Sequence, residues 1–239
     1  MNLLVFRSGQ RQGDVLTATG EQSQHIRDVL KGQPGEILRV GELGGLMGCA
    51  TLISSEGLCQ LRIESLDTPP PPKLPLTLLL AMPRPKVFRR MLQAVSSLGV
   101  ERLILLNSWR VEKSYWQTPW LQPGTLEANL ILGLEQACDT VLPDVLIRKR
   151  FKPFIEDELP ALLTDAQGWV AHPYSDTIPH PRAVAGTPHH TVLAIGPEGG
   201  FIPYEVEKLQ AVGMQGLSLG PRILKVDTAI SALIGKLFL

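Results

Sequence analysis

The run Pro69-Pro70-Pro71-Pro72-Lys73-Leu74-Pro75 constrains this chain more than any other stretch. Proline has no backbone donor and a fixed φ, so such a run suits neither a helix interior nor a central strand. It favours extended polyproline geometry and behaves as a stiff connector. The chain is therefore read as residues 1–68, a linker at 69–75, and residues 76–239.

The two parts differ in rhythm. Before the prolines, short strands are expected at 35–41, 48–53 and 58–63, separated by turn residues, with helical spacing over 21–30. That pattern predicts a small β-barrel carrying one short helix. After the prolines, strands at 76–82, 102–107, 145–148, 169–172, 191–195 and 217–219 alternate with helices. The helices are expected at 86–98, 126–139, 156–163, 204–212 and 228–239. Such alternation predicts an α/β fold whose parallel sheet is covered on both faces.

Composition narrows the function classes. An apolar fraction of 44% over 239 residues supports a packed core without staples. No uncharged apolar stretch is long enough for a membrane helix, and the N-terminal Met1-Asn2-Leu3-Leu4-Val5-Phe6-Arg7-Ser8 is too short in its apolar part for a signal peptide. Three cysteines, Cys49, Cys59 and Cys138, show no CxxC spacing. Neither a disulfide framework nor a metal site is expected, and a reducing cytoplasm fits. A formal net charge of zero argues against coating nucleic acid electrostatically. Two local basic clusters remain: Arg84, Lys86, Arg89 and Arg90, then Arg148, Lys149, Arg150 and Lys152.

Chemistry concentrates near the C-terminus. Ile195-Gly196-Pro197-Glu198-Gly199-Gly200-Phe201 follows an apolar strand and precedes a helix, where α/β sheets bind ligands. Its spacing is not GxGxxG, no Lys-Ser/Thr follows, and Pro197 removes a donor that a phosphate cradle would use. The loop suits a ligand read through backbone contacts to an adenine or ribose, or else it is a plain tight turn. A second segment, Leu219-Gly220-Pro221-Arg222-Ile223-Leu224-Lys225-Val226-Asp227-Thr228, repeats the strand-turn-helix arrangement. Two Gly-Pro turns at adjacent strand ends make two walls of one crevice, with Arg222 and Lys225 as positive charge beside it. Ala171-His172-Pro173-Tyr174 is a third wall, and Asp227 or Thr228 is placed to cap the last helix. Gly196→Val is expected to fill the crevice.

The pair Ile195-Gly196-Pro197-Glu198-Gly199-Gly200-Phe201 and Leu219-Gly220-Pro221-Arg222-Ile223-Leu224 resembles the signature of the RsmE family, 16S ribosomal RNA (uracil-N3)-methyltransferases of the SPOUT superfamily. Gln24-His25-Ile26-Arg27-Asp28-Val29-Leu30, Pro34-Gly35, Leu98-Gly99-Val100, Glu135-Gln136 and His172-Pro173 are similar to other parts of that pattern. The resemblance implies a knotted α/β domain, with a deep trefoil knot, preceded by a PUA-like β-barrel. It implies S-adenosyl-L-methionine as cofactor, held at His172, Pro173, Ile195, Gly196, Pro197, Glu198, Gly199, Gly200, Leu219, Gly220, Ile223 and Leu224. It also implies a homodimer acting on 16S rRNA in the small ribosomal subunit. Removing the N3 proton of uracil puts negative charge on the base, for which Arg222 and Lys225 are candidate stabilisers. Asp227 or Glu198 is a candidate proton acceptor or arginine-orienting group, Glu198 being equally suited to complement a helix dipole. Arg7, Arg11, His25, Arg27, Lys31, Arg84, Arg89 and Arg90 are candidate RNA contacts.

The sequence departs from the family where substrate is handled. Lys225 and Asp227 stand where the family has arginine and glutamate, Ala137-Cys138-Asp139-Thr140 where it has Ser-Gly-Arg, and Pro83-Arg84-Pro85-Lys86 where it has Pro-Lys-Gly-Asp. Two alternatives stay open: a related methyltransferase with another RNA target, and a non-catalytic ribosome-binding or assembly factor.

Overall fold

A computed structural model describes residues 2–173 and 190–238. The chain forms two compact units: Met1–Pro72 with Leu130–Leu142, and Lys73–Asn129 with Pro143–Leu239.

The first unit is a curled six-stranded sheet. Its elements are β1 (Leu4–Phe6), β2 (Arg11–Gln12), β3 (Val15–Thr17), α1 (Gly20–Asp28), β4 (Ile37–Glu42), β5 (Met47–Ser54) and β6 (Gln60–Thr68). The strand order is β1-β4-β5-β6-β3-β2, with β1 and β4 parallel and the other pairs antiparallel. Strand side chains alternate between faces, and this explains why β1 has no polar side. Leu4 and Phe6 join Leu16, Ile26, Val40, Leu52 and Leu61 in one core. Leu3 and Val5 point the other way, into a cluster with Met47 and Leu134. Helix α1 starts at a reciprocal cap: Thr19 Oγ1 accepts from the Gln22 amide at 3.2 Å, and Gln22 Oε1 accepts from the Thr19 amide at 3.0 Å. It ends at Asp28, two residues sooner than its spacing predicts, and Val29 and Leu30 are left exposed.

Leu130–Leu142 belongs to this unit although it lies far beyond the prolines. The Glu135 carbonyl accepts the amides of Asn2 and Leu3, both at 3.0 Å, and its carboxyl accepts the Val5 amide at 3.3 Å. Burial pushes that carboxyl up to about 7. Thr140 Oγ1 donates to the Gly45 carbonyl at 2.6 Å. No local pattern announces these contacts, because they join residues more than ninety positions apart.

The second unit holds β7 (Leu74–Ala81), α2 (Pro85–Ser97), β8 (Val100–Leu106), the start of α3 (Pro123–Ala137, which passes into the first unit at Leu130), β9 (Asp144–Arg148), α4 (Phe151–Pro153), a π turn at Phe154–Glu158, α5 (Leu159–Leu162), β10 (Ala166–Ala171), β11 (His190–Ile195), α6 (Pro203–Ala211), β12 (Gln215–Leu217) and α7 (Val226–Phe238). All its strands are parallel, in the order β12-β10-β11-β7-β8-β9. The central strands β7, β8 and β11 are apolar runs buried on both faces, as a covered parallel sheet requires. Strand β7 begins inside the proline run. A register shift between Leu74 and Thr77 accommodates the donor missing at Pro75. The expected helix at 156–163 is two short α pieces between 151 and 162, joined by the π turn just ahead of Pro160.

Two boundaries matter for chemistry. Strand β12 ends at Leu217, so Ser218 and Leu219 belong to the following loop. Helix α7 begins at Val226, and the Lys225 carbonyl accepts the Ala229 amide at 2.8 Å. Asp227 and Thr228 thus sit inside the first turn, not at the cap. Chain order runs β7, β8, β9 to one side, jumps to β10, and returns to place β11 beside β7. Such a reversal opens a crevice at the carboxyl ends of the strands. No helix among the described residues is long and apolar enough to cross a membrane.

Candidate active site

A cavity of about 500 Å³ lies at the carboxyl ends of β10, β11 and β12. Three loops at those strand ends line it, together with Arg110 after β8, Pro203 at the start of α6, and helix α7.

The first wall is residues 195–201, directly after β11. Gly196 and Pro197 are buried. The Gly200 amide donates to the Pro197 carbonyl at 2.7 Å and closes a tight turn. A Cβ on Gly196 would lie 2.7 Å from the Phe201 nitrogen and 3.0 Å from the Gly200 carbonyl carbon. The glycine is required because the loop folds back on itself, not because a ligand needs the space. Gly196→Val therefore collides with its own loop rather than filling the crevice. Two neighbours brace the turn: the Arg110 guanidinium donates to the Gly199 carbonyl, and Glu198 accepts the Arg84 amide at 3.0 Å.

The second wall is residues 217–224 with Ala171, His172 and Pro173 beside it. The His172 amide donates to the Leu217 carbonyl at 3.1 Å, which joins the ends of β10 and β12. Burial pulls the His172 imidazole below its usual value, so the ring is neutral at pH 7. Buried Ser218 accepts the Gly220 amide at 3.2 Å, and Gly220 turns the chain in the left-handed region at φ +102. Beyond it the wall opens: Arg222, Ile223, Leu224 and Lys225 are exposed. Tyr174 lies outside the described residues.

Val226, Ala229 and Leu233 of α7 complete the lining. Together with Ile195, Leu217 and Leu219 they give an apolar surface interrupted by turn amides, the Glu198 carboxylate and the Arg110 and Arg222 cations. A cavity of this size, mostly apolar with few placed polar groups, is what a nucleoside-sized ligand requires. Among the described residues, no three His, Cys, Asp or Glu side chains converge as a metal-ligand set.

All twelve residues read from sequence as cofactor contacts line this one cavity. Of the four named for chemistry, Glu198 and Arg222 line it, whereas Lys225 and Asp227 do not. Asp227 pairs with Arg90 at 3.3 Å and accepts the Thr228 amide at 3.1 Å. Arg222 makes no hydrogen bond or ion pair among the described residues. The acid that serves the start of α6 is not Glu198 but buried Glu205, which accepts the amides of Ile202 at 3.0 Å and Trp109 at 2.8 Å. Arg110 and Glu205 went unnoticed in the sequence; a cation just past a strand end was the available signal for Arg110.

The basic residues named for RNA divide between the units. In the first, Arg7 and Lys31 are exposed. Arg11 Nε donates to the Gly13 carbonyl at 2.7 Å. Arg27 donates to the carbonyls of Ser55 at 3.2 Å and Gly57 at 2.6 Å, so it holds a loop of its own sheet. His25 Nε2 is buried without a hydrogen-bond partner, and burial lowers its pKa. In the second unit, the Tyr115 side chain beside Arg84 raises the guanidinium's pKa. Arg89 donates to Asn129 at 3.1 Å and stacks over Trp120, and Arg90 pairs with Asp227.

A parallel sheet with a nucleoside-sized cavity at its strand ends is the arrangement of an α/β ligand-binding domain. Residues 70–237 match the RNA methyltransferase domain, and the chain belongs to that family, within which it stands with the RsmE proteins. It is 27% identical to ribosomal RNA small subunit methyltransferase E of Treponema pallidum, over 97% of this chain and 88% of that relative. The protein of the same name from Synechocystis is 28% identical, over 93% of this chain and 72% of its own. A Neisseria gonorrhoeae small subunit methyltransferase E bound to S-adenosyl methionine shares the fold: TM-score 0.72, 20% identity, covering 98% of this chain and 95% of that one.

Proposed function

We propose that this protein is an S-adenosylmethionine-dependent methyltransferase that modifies N3 of a specific uridine in 16S rRNA of the small ribosomal subunit. The observation that carries the reading is one cavity lined from three separate loops, in a chain of the RNA methyltransferase family. The names of the curated relatives, and the cofactor in the Neisseria structure, support the substrate and the donor.

The chain's own groups suit that task. Ile195, Leu217, Leu219 and Ile223 offer apolar contact to an adenine, and the turns at 196–200 and 218–220 offer backbone amides and carbonyls to its edge and ribose. When bound, the cofactor supplies a methyl group on a cationic sulfur. Neutral His172 and the Glu198 carboxylate place no cation against that charge. Arg222, which has no partner among the described residues, faces the uracil and stabilises the negative charge left when N3 releases its proton to solvent water. Lys225, exposed outside the lining, engages RNA phosphate. Asp227 acts on Arg90, and Glu198 on the loop after β7; each orients a neighbour instead of taking the proton itself. Catalysis then rests on alignment and charge stabilisation.

The same reading assigns the first unit as a PUA-like barrel that contacts RNA through Arg7, Arg11 and Lys31, with His25 and Arg27 supporting them. It also assigns Arg84, Arg89 and Arg90 of the second unit as RNA contacts. It takes the second unit as a SPOUT domain with a deep trefoil knot, paired with a second copy as a homodimer in the cytoplasm. The decisive experiment is nucleoside mapping of 16S rRNA with and without the gene. One N3-methyluridine is expected to vanish on deletion and return on complementation; an unchanged map overturns the proposal.

A further inference from the structure

Trp109 is 80% exposed, more than any other large apolar side chain among the described residues. Tryptophan is usually well buried, and an exposed indole marks a surface built to be covered. This one stands on a fixed backbone. Its amide donates to buried Glu205, the preceding Ser108 is buried, and the following Arg110 both binds the Gly199 carbonyl and lines the cavity. The other tryptophans of the same loop are already engaged: Trp116 donates to Asn107 at 2.8 Å beneath Lys149, and Trp120 lies beneath Arg89. Trp109 has no ring partner among the described residues.

The charge beside it selects the occupant. Arg110 and Arg222 both line the cavity, and Glu198, the acid there, is tied to the Arg84 amide. A flat apolar face whose chain neighbour Arg110 lines a nucleoside-sized cavity fits an unpaired nucleotide strand. We propose that Trp109 is a positioning residue for RNA. Its indole stacks on a base flanking the methylated nucleotide, and donors of Arg110 not used on Gly199 meet that strand's phosphate. The inference rests on the methyltransferase reading above and deepens it.

The test compares Trp109→Ala and Trp109→Phe with the wild-type full chain, using small ribosomal subunits lacking the modification and labelled S-adenosylmethionine. For Trp109→Ala, the KM for subunits is expected to rise roughly tenfold, as loss of one stacked base predicts. Its kcat, its cofactor affinity by calorimetry and its sedimentation are expected to match the wild type, and Trp109→Phe is expected to recover most of the KM. Indole fluorescence present in the wild type but absent from Trp109→Phe is expected to be quenched by a short uridine-containing single-stranded RNA. An unchanged KM in Trp109→Ala overturns the inference and leaves the methyltransferase reading intact. So does a change in sedimentation, which would make Trp109 a contact between copies of the chain. A wild-type protein that transfers no methyl group to RNA overturns the reading itself, and the stacking with it.

Discussion

The two Gly-Pro loops that line the cavity look alike in sequence and are built differently. The first, at 196–200, is closed and braced: a turn hydrogen bond inside it, Arg110 on one side and the loop after β7 on the other. The second, at 219–224, has one side chain, Ser218, holding its first turn, and then exposes Arg222, Ile223 and Leu224. Their glycines differ accordingly. Gly196 is required by close approach of its own loop's backbone, Gly220 by a left-handed φ in open space. A braced wall suits a ligand bound in one pose. An open wall whose cation has no partner among the described residues suits a partner that arrives from solvent. On the proposed reading, the braced loop and the first turn of the second hold the cofactor, and the open end of the second meets RNA.

The sharpest test of that contrast is Gly196→Val. Its side chain meets backbone that has little room to move, at a cost of about 3 kcal/mol or more. Calorimetry should show cofactor affinity falling more than about a hundredfold; near-normal affinity would mean the first loop is not the cofactor wall. Next in size is Arg222→Ala, expected to lower kcat by about a hundredfold, as loss of one charge-stabilising donor does. Cofactor affinity should hold, and a change confined to that affinity would erase the distinction between the loops. Gly220→Ala meets no atom within 4 Å and suffers only backbone strain, roughly 1–2 kcal/mol. Cofactor affinity should drop about tenfold, well short of Gly196→Val; equal losses would show that the second loop is as tightly braced as the first. The smallest effect is expected of Glu198→Gln, which keeps an acceptor for the Arg84 amide. Its kcat should stay within about threefold of wild type, whereas loss of a proton acceptor would cost about a hundredfold or more.

Much of the site was legible before any fold was known. The apolar strands ending at Ile195 and Ala171 carry local period and turn signals, and the residues after them line the cavity. Precision failed at element ends. Moving the start of α7 from Thr228 to Val226 turned two supposed capping residues into first-turn residues and took Asp227 and Lys225 out of the lining. Arg110 was missed because it reaches the cavity from an element distant in sequence, and Glu205 because it acts outside the lining, on the amides of Ile202 and Trp109.

Patterning along the chain was sufficient to establish the parallel α/β sheet and the paired Gly-Pro loops, because period and turn chemistry act over a few neighbouring residues. The folded chain was needed to show that Gly196 serves its own loop, that Glu198 and Asp227 are already engaged, and that Leu130–Leu142 packs with β1. Those facts depend on contacts between residues far apart in sequence, and such contacts exist only after the backbone has closed around them.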